Sequence, residues 1–169
     1  IWYNQNVLGD AGIEMPWQPE TWDDLLSMAR TVKAANPEVV PFSMYAGTMQ
    51  SFYELLYGTE DGTLYDEDEQ KWVTGSQGFT DSLAFLKTIY DEELAVTPAE
   101  ALDPNVWQKI VGEMLPQDQM GATVEGSYAP QFWQELWSVR AIASIPIIAE
   151  RFTRLYGVIS SSAQGERQE

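Results

Sequence analysis

The sequence has no cysteine and no histidine among its 169 residues. Without cysteine, a disulfide framework, a thiolate nucleophile and an iron–sulfur ligand set are all excluded. Without histidine, the chain lacks the commonest general base and the commonest metal ligand. These two absences exclude the Ser-His-Asp triads of hydrolases and the usual zinc sites. We therefore expect no metal and no cofactor.

Basic residues are scarce, since 9 Lys and Arg stand against 26 Asp and Glu and give a formal net charge of -17. Such a surface repels phosphate backbones and anionic membranes, so we expect no nucleic-acid partner. Solubility is the simplest explanation of the acidity. The chain also has no run of about 20 apolar residues of the kind that spans a bilayer.

What is present fits a folded domain. Hydrophobic residues make up 44% and charged residues 21% of the chain, close to globular averages. The length suits one domain, and we assign residues 1–169 to a single lobe in which 139–169 form a connection of undefined fold. The chain opens at Ile1 with an aromatic run and no Met. We interpret it as a piece cut from a longer protein.

The clearest helix signal follows Pro19. Thr21 is a capping residue, Asp24 stands three places later, and Asn36 followed by proline supplies a stop. Apolar residues between these signals recur at helical spacing, which predicts a helix from Trp22 to about Ala35.

Other segments alternate between short apolar runs and helical periodicity, which predicts an α/β, helix-rich fold. Aromatic residues at helical spacing are expected in the core, namely Trp22, Phe85, Tyr90 and Trp107. The remaining predicted elements are a strand at 39–42, a helix at 49–57, a turn at 66–68, a strand at 71–73, helices at 78–94 and 105–114, a strand at 121–125, a helix at 130–136, and strands at 142–148 and 155–159.

Several of these pieces, in this order, resemble the second lobe of family 1 extracellular solute-binding proteins, the sugar-capturing components of ABC importers. The similarity covers roughly residues 1–137, and Tyr128 stands where the family usually has Trp. The stretch after Val139 lacks the family's Gly-Gly segment. The matching pieces are Trp2-Tyr3-Asn4, Gly12-Ile13, Thr21-Trp22-Asp23-Asp24-Leu25-Leu26, Pro41-Phe42, the helix 52–56, the turn 66–68, the helix 79–94 and the run from Met120 to Tyr128.

The resemblance implies the second lobe of a two-lobed periplasmic-binding-protein-like fold, with solute held in a cleft between lobes. It further implies non-catalytic binding of a mono- or oligosaccharide for an ABC importer permease. The protein would be extracellular or periplasmic and tethered to the membrane as a lipoprotein. The resemblance implies that the first lobe is missing from this chain, so we expect these residues alone to bind sugar weakly or not at all. It leaves open self-association through the exposed lobe face.

A sugar site needs an aromatic plate beside fixed polar groups. Tyr128 follows Gly126 and Ser127 at a predicted strand exit, which places its ring on a loop and favours stacking on a sugar. Ser127 and Glu125 fit hydrogen bonds to sugar hydroxyls, although Glu125 fits a solvated strand-end charge equally well.

A second set of candidate residues comes from position in the family's pattern. It places the loop from Tyr45 toward the cleft, with Thr48, Gln50 and Ser51 as hydroxyl partners or as merely solvated residues. Trp133, with Trp137 on the same helical face, fits the cleft rim and the core equally.

Two other classes of function remain open. A glycoside-processing enzyme would use paired carboxylates, but no pair stands out from the acidic background. An isolated lobe could also serve only as an interaction module. The acidic residues 66–69 resemble the start of a calcium loop. The calcium-binding pattern requires a third acid or amide followed by glycine, whereas this chain has Gln70 followed by Lys71, so a solvated turn explains the run better.

Overall fold

The computed structural model describes residues 1–43, 52, 55–56, 58–59, 61–97, 99–100, 103, 105–124 and 139–141, with the backbone alone at 107, 111 and 139–141. The helices are α1 (Gln5–Asp10), α2 (Trp22–Ala35), α3 (Gln77–Asp91) and α4 (Val106–Lys109), and α4 continues into a π-helical turn, Ile110–Met114. The strands are β1 (Trp2–Asn4), β2 (Val40–Ser43), β3 (Tyr65–Asp66), β4 (Lys71–Trp72), β5 (Met120–Thr123) and β6 (Val139–Ala141). The predicted helix-rich α/β class is confirmed.

Four strands form a mixed sheet in the order β2-β5-β1-β6. β2 runs parallel to β5, whereas β1 is antiparallel to both β5 and β6. A parallel bridge from Phe42 to Ala95 adds the segment after α3 to the outer side of β2. β3 and β4 form a separate hairpin. The ends of β2 and β5 therefore lie at the same edge of the sheet.

Helix α2 has the bounds that the sequence predicts. Thr21 Oγ1 accepts from the Asp24 amide, and the Asp24 carboxylate accepts from the Thr21 amide, which together form a capping box. The pKa of Asp24 is lowered, first by the hydrogen bond from the Glu20 amide and then by those from Thr21. Its inward residues are Leu25, Met28, Ala29 and Val32.

Helix α3 ends earlier than predicted, at Asp91 instead of residue 94. Glu93 has a φ of 54°, which stops the helix, and the Leu94 amide turns back to the Ile89 carbonyl. Leu83 has helical spacing with Leu86 and Ile89 and would be expected on their buried side, but it is 48% exposed. Ser82 is buried instead, because it and Gly78 form the small-residue side of the helix that faces inward.

The main core lies between the sheet and helices α1 to α3. Of the aromatic residues predicted for the core, Trp22, Phe85 and Tyr90 are half-buried and pack against it, and Trp107 is described by its backbone alone. A smaller cluster forms around Ile110, Leu115 and Met120. The fully buried anchors of the main core include Leu8, Leu25, Val32, Phe42 and Ala122.

A buried asparagine joins the end of β1 to the turn that precedes β5. Asn4 is fully buried at the end of β1, and its Oδ1 accepts from the Asn6 and Val7 amides, which caps α1. Its Nδ2 donates to the Leu115 carbonyl at 2.7 Å and to the Asp118 carboxylate at 2.6 Å. All of its hydrogen-bonding capacity is therefore used inside the fold.

Gly121 permits the close approach of β5 to β2. A Cβ built at this position would lie 2.5 Å from the Pro41 carbonyl oxygen. We expect Gly121→Ala to lower the free energy of unfolding by about 1–3 kcal/mol, because backbone atoms would have to move. The matched control is Gly9→Ala in α1, where a Cβ meets nothing within 4 Å. Urea unfolding measures both variants, and equal stabilities would contradict the packing argument.

The α2 cap provides a second test. Thr21→Ala removes the acceptor for the Asp24 amide, and we expect it to cost about 1 kcal/mol. The control is Thr31→Ala, since Thr31 lies inside α2 and its hydroxyl only donates back to the Ser27 carbonyl. Thermal and urea unfolding should show a loss for Thr21→Ala alone. A comparable loss in Thr31→Ala would show that the cap is not the cause.

Candidate functional site

Two strand exits lie side by side at one edge of the sheet. The last residue of β2, Ser43, is in register with the last residue of β5, Thr123, and Trp2 pairs with Thr123 from the other side. The Val124 amide donates to the Ser43 carbonyl at 3.0 Å, so pairing continues to the point where both strands end. In α/β sheets, ligands bind outside the carboxyl ends of parallel strands. This edge is therefore the candidate site.

The predicted ligand residues follow these two exits in the sequence. One group follows Ser43 and another follows Thr123, so the strand register places the starting points of both segments next to each other. The predicted residues themselves lie outside the described residues. They are Thr48, Gln50 and Ser51 after β2, and Glu125, Ser127, Tyr128 and Trp133 after β5.

Thr123 is a feature of this edge that sequence reasoning missed. Its side chain is fully buried, and its Oγ1 has no hydrogen-bond partner among the described residues. Ser43 beside it is 1% exposed. The available signal was a polar residue at the end of an apolar run, three residues before the Gly-Ser-aromatic sequence that begins at Gly126. Buried polar groups without a partner are uncommon and need an explanation.

One other buried polar group in the described part lacks a partner. It is the indole nitrogen of Trp22, whose ring contacts Phe85 edge-on across α2 and α3 with centroids 5.6 Å apart. That position belongs to helix packing. Only Thr123 combines an unpaired polar atom with a place at the strand exits, within the described residues.

Two carboxyl groups away from this edge have a lowered pKa. The pKa of Glu92 is lowered by its hydrogen bonds from Arg30, and the pKa of Glu100 is lowered by those from the Thr97 amide and hydroxyl. Within the described residues, no three acidic side chains gather in a way that could hold a metal ion. The described helices are also all too short or too polar to cross a membrane.

Two surface grooves lie away from the strand exits. One, of about 440 Å³, runs along α2 beside Trp17 and Asp24. The other, of about 430 Å³, lies between the beginning of β2 and the segment from Glu93 to Met114. Neither is lined by Ser43 or Thr123. They are thus separate from the edge where the predicted ligand segments begin.

The sequence matches one protein family over most of its length. The profile of the family described as bacterial extracellular solute-binding protein matches residues 1–138. A comparison with curated proteins finds no significant match.

Solved structures with the same fold belong to larger proteins. An ABC substrate-binding protein of Listeria monocytogenes, in complex with cycloalternan, is 22% identical with a TM-score of 0.63, over 81% of this chain and 34% of that one. A solute-binding protein of Thermotoga lettingae with α-D-tagatose is 20% identical with a TM-score of 0.62, over 79% and 34%. The GacH receptor of Streptomyces glaucescens, studied with acarbose, is 20% identical with a TM-score of 0.61, over 84% and 36%. The chain thus spans about a third of the length of these proteins, whose two-lobed fold it shares in part.

The unpaired Thr123 hydroxyl makes a testable prediction. Thr123→Val keeps the shape of the side chain and removes the unpaired Oγ1, so we expect the free energy of unfolding to rise by about 1 kcal/mol. Thr123→Ser, the control, keeps the hydroxyl and removes the methyl group, so it should destabilise. Urea unfolding of this chain measures both. A loss of stability in Thr123→Val would mean that the hydroxyl has a partner in solution.

Proposed function

The chain belongs to the family of bacterial extracellular solute-binding proteins, and on that premise we propose that it is the ligand-facing second lobe of a protein that captures a mono- or oligosaccharide. The lobe would deliver the sugar to the permease of an ABC importer without chemical change. The observation that carries the proposal is the register of Ser43 with Thr123, which starts both predicted ligand segments at one sheet edge.

The chemistry of the two segments suits a saccharide. An aromatic ring at Tyr128 would stack on the apolar face of a sugar, while Glu125, Ser127, Thr48, Gln50 and Ser51 offer hydrogen-bonding groups to its hydroxyls. Trp133 would rim the cleft. Three proteins of similar fold are described with cycloalternan, α-D-tagatose and acarbose, which supports a sugar ligand for this chain as well.

Three described carboxyl groups have a pKa shift opposite to the one that a glycosidase needs in its proton donor. A glycosidase needs one carboxyl group whose pKa is raised so that it can donate a proton. Asp24, Glu92 and Glu100 shift the opposite way, because hydrogen bonds stabilise their ionised forms. The chain also has no histidine, the side chain that most often serves as general acid or base. We therefore propose a non-enzymatic protein.

A working cleft needs a second wall. The first lobe of the same protein would close over the sugar by a hinge motion, and the closed form would dock on the permease. In this proposal the full-length protein is extracellular or periplasmic and held at the membrane as a lipoprotein. A single lobe covers one side of the ligand, so its free energy of binding should be much smaller than that of the two-lobed protein.

Isothermal titration of the two-lobed protein against a carbohydrate panel tests the proposal. Tyr128→Ala should weaken binding of the sugar that binds best by roughly tenfold, about 1.4 kcal/mol. Tyr128→Trp should keep or improve binding, since it preserves the stacking face. The 169-residue chain alone should bind the same sugar weakly or give no heat.

The matched control is Tyr65→Ala, which removes an exposed tyrosine from the separate β3–β4 hairpin and should leave sugar affinity unchanged. If the two-lobed protein binds no sugar of the panel, the sugar assignment is wrong. If Tyr128→Ala and Tyr65→Ala lose the same amount of sugar affinity, Tyr128 is not part of the binding site.

A further inference from the structure

The β3–β4 hairpin exposes two aromatic rings. Trp72 is 71% exposed and Tyr65 is 42% exposed, whereas large aromatic side chains are usually more buried. Their rings meet edge-on with centroids 5.5 Å apart, in register across the hairpin. Exposed aromatic rings that adjoin each other, rather than scattered single ones, are typical of interaction surfaces.

The hairpin is held in a defined shape by its own hydrogen bonds. The Val73 amide donates to the Leu64 carbonyl at 2.8 Å, and the Thr63 hydroxyl donates to the Tyr65 carbonyl at 2.9 Å. At the turn, the Asp66 carboxylate accepts from the amides of Asp68 and Glu69. These hydrogen bonds hold the aromatic pair in one arrangement, and such preorganisation lowers the entropic cost of binding.

The charge around the pair is negative and partly unpaired. The turn carries four carboxylates, of which Asp66 serves the turn and Glu69 pairs with Lys71. The side chains of Glu67 and Asp68 are exposed and form no hydrogen bond or ion pair with any described residue. The whole chain has a net charge of -17. This surface is thus complementary to positive charge.

We propose that the β3–β4 hairpin, residues 65–72, is a docking surface for a protein partner that presents neighbouring arginine or lysine side chains. One cation stacks on the indole of Trp72, and the next pairs with Glu67 and Asp68. The turn begins about two residues after Tyr65. At the rise per residue of a strand, this separates the turn from the aromatic pair by roughly 7 Å. That spacing suits adjacent cationic side chains of one segment better than a single small cation.

This inference does not depend on the sugar site. The hairpin forms its own two-stranded sheet and contains none of the predicted ligand residues. A neutral sugar could stack on Trp72 but would gain little from the unpaired carboxylates, whereas a basic segment uses both features. Charge complementarity therefore selects the occupant.

The test is a titration of the whole chain with short peptides, followed through the indole N–H signals in nitrogen–proton NMR spectra. The Trp72 signal is assigned from its loss in Trp72→Phe. The probes are a capped arginine hexapeptide, a capped glutamate hexapeptide and maltohexaose. We expect the arginine peptide to shift the Trp72 signal and the hairpin amides at lower concentration than other signals, and high salt to abolish the effect.

Variants separate this site from general attraction to an acidic protein. Trp72→Ala should weaken binding of the arginine peptide by about two- to fivefold, and Glu67→Gln with Asp68→Asn should weaken it by about threefold. The control changes the same charge elsewhere, through Asp10→Asn with Glu14→Gln, two exposed acids near α1, and should cost clearly less. Thermal unfolding checks that all variants fold.

Three results would overturn the proposal. The first is equal binding of the arginine peptide by wild type and Trp72→Ala. The second is an equal loss in the hairpin and control double variants, which would indicate general charge attraction. The third is a shift of the Trp72 signal by maltohexaose and not by the arginine peptide, which would make the hairpin an accessory sugar surface.

Discussion

The side chain of Asn4 is the contact on which the rest of the sheet depends. It caps α1 through the Asn6 and Val7 amides and reaches the Leu115 carbonyl, 111 residues away in the sequence. Because it is fully buried, water cannot replace these bonds. The residue thus ties the first strand to the turn that precedes β5. This connection sets β1 beside β5 with Tyr3 opposite Ala122.

Strand order then determines where the candidate site forms. With β5 held against β1, the close approach of Gly121 to the Pro41 carbonyl brings β2 to its other side, with Ser43 opposite Thr123. The helices stabilise this arrangement mainly by apolar packing. The bidentate pair of Arg30 with Glu92 joins α2 to the end of α3, but its side chains are 49% and 40% exposed, so it contributes little beside the buried core.

Local signals predicted the elements better than their packing. The bounds of α2 followed from Thr21 and Asp24, because a capping box acts within one turn. The end of α3 was placed too late, since the φ of 54° at Glu93 leaves no pattern in residue type. A helix was predicted over 105–114, and the structure has an α-helix there that turns π-helical at Ile110. The pairing of Asn4 with Leu115 joins distant segments, and no local pattern reveals it. The seven predicted ligand residues stay predictions, because they lie outside the described residues.

The same reasoning explains why the location of the site was only half predictable. The sequence identifies a Gly-Ser-aromatic loop and a polar loop. Whether the two loops are adjacent depends on the parallel pairing of β2 with β5. These two strands are separated in the sequence by residues 44–119. A parallel pair always needs such a crossover, so its register is set by tertiary packing. Thr123 pairs with Ser43 in this register, and its buried hydroxyl has no hydrogen-bond partner among the described residues. Local rules are broken most often where a fold serves a function, and this exception lies at the edge where both loops begin.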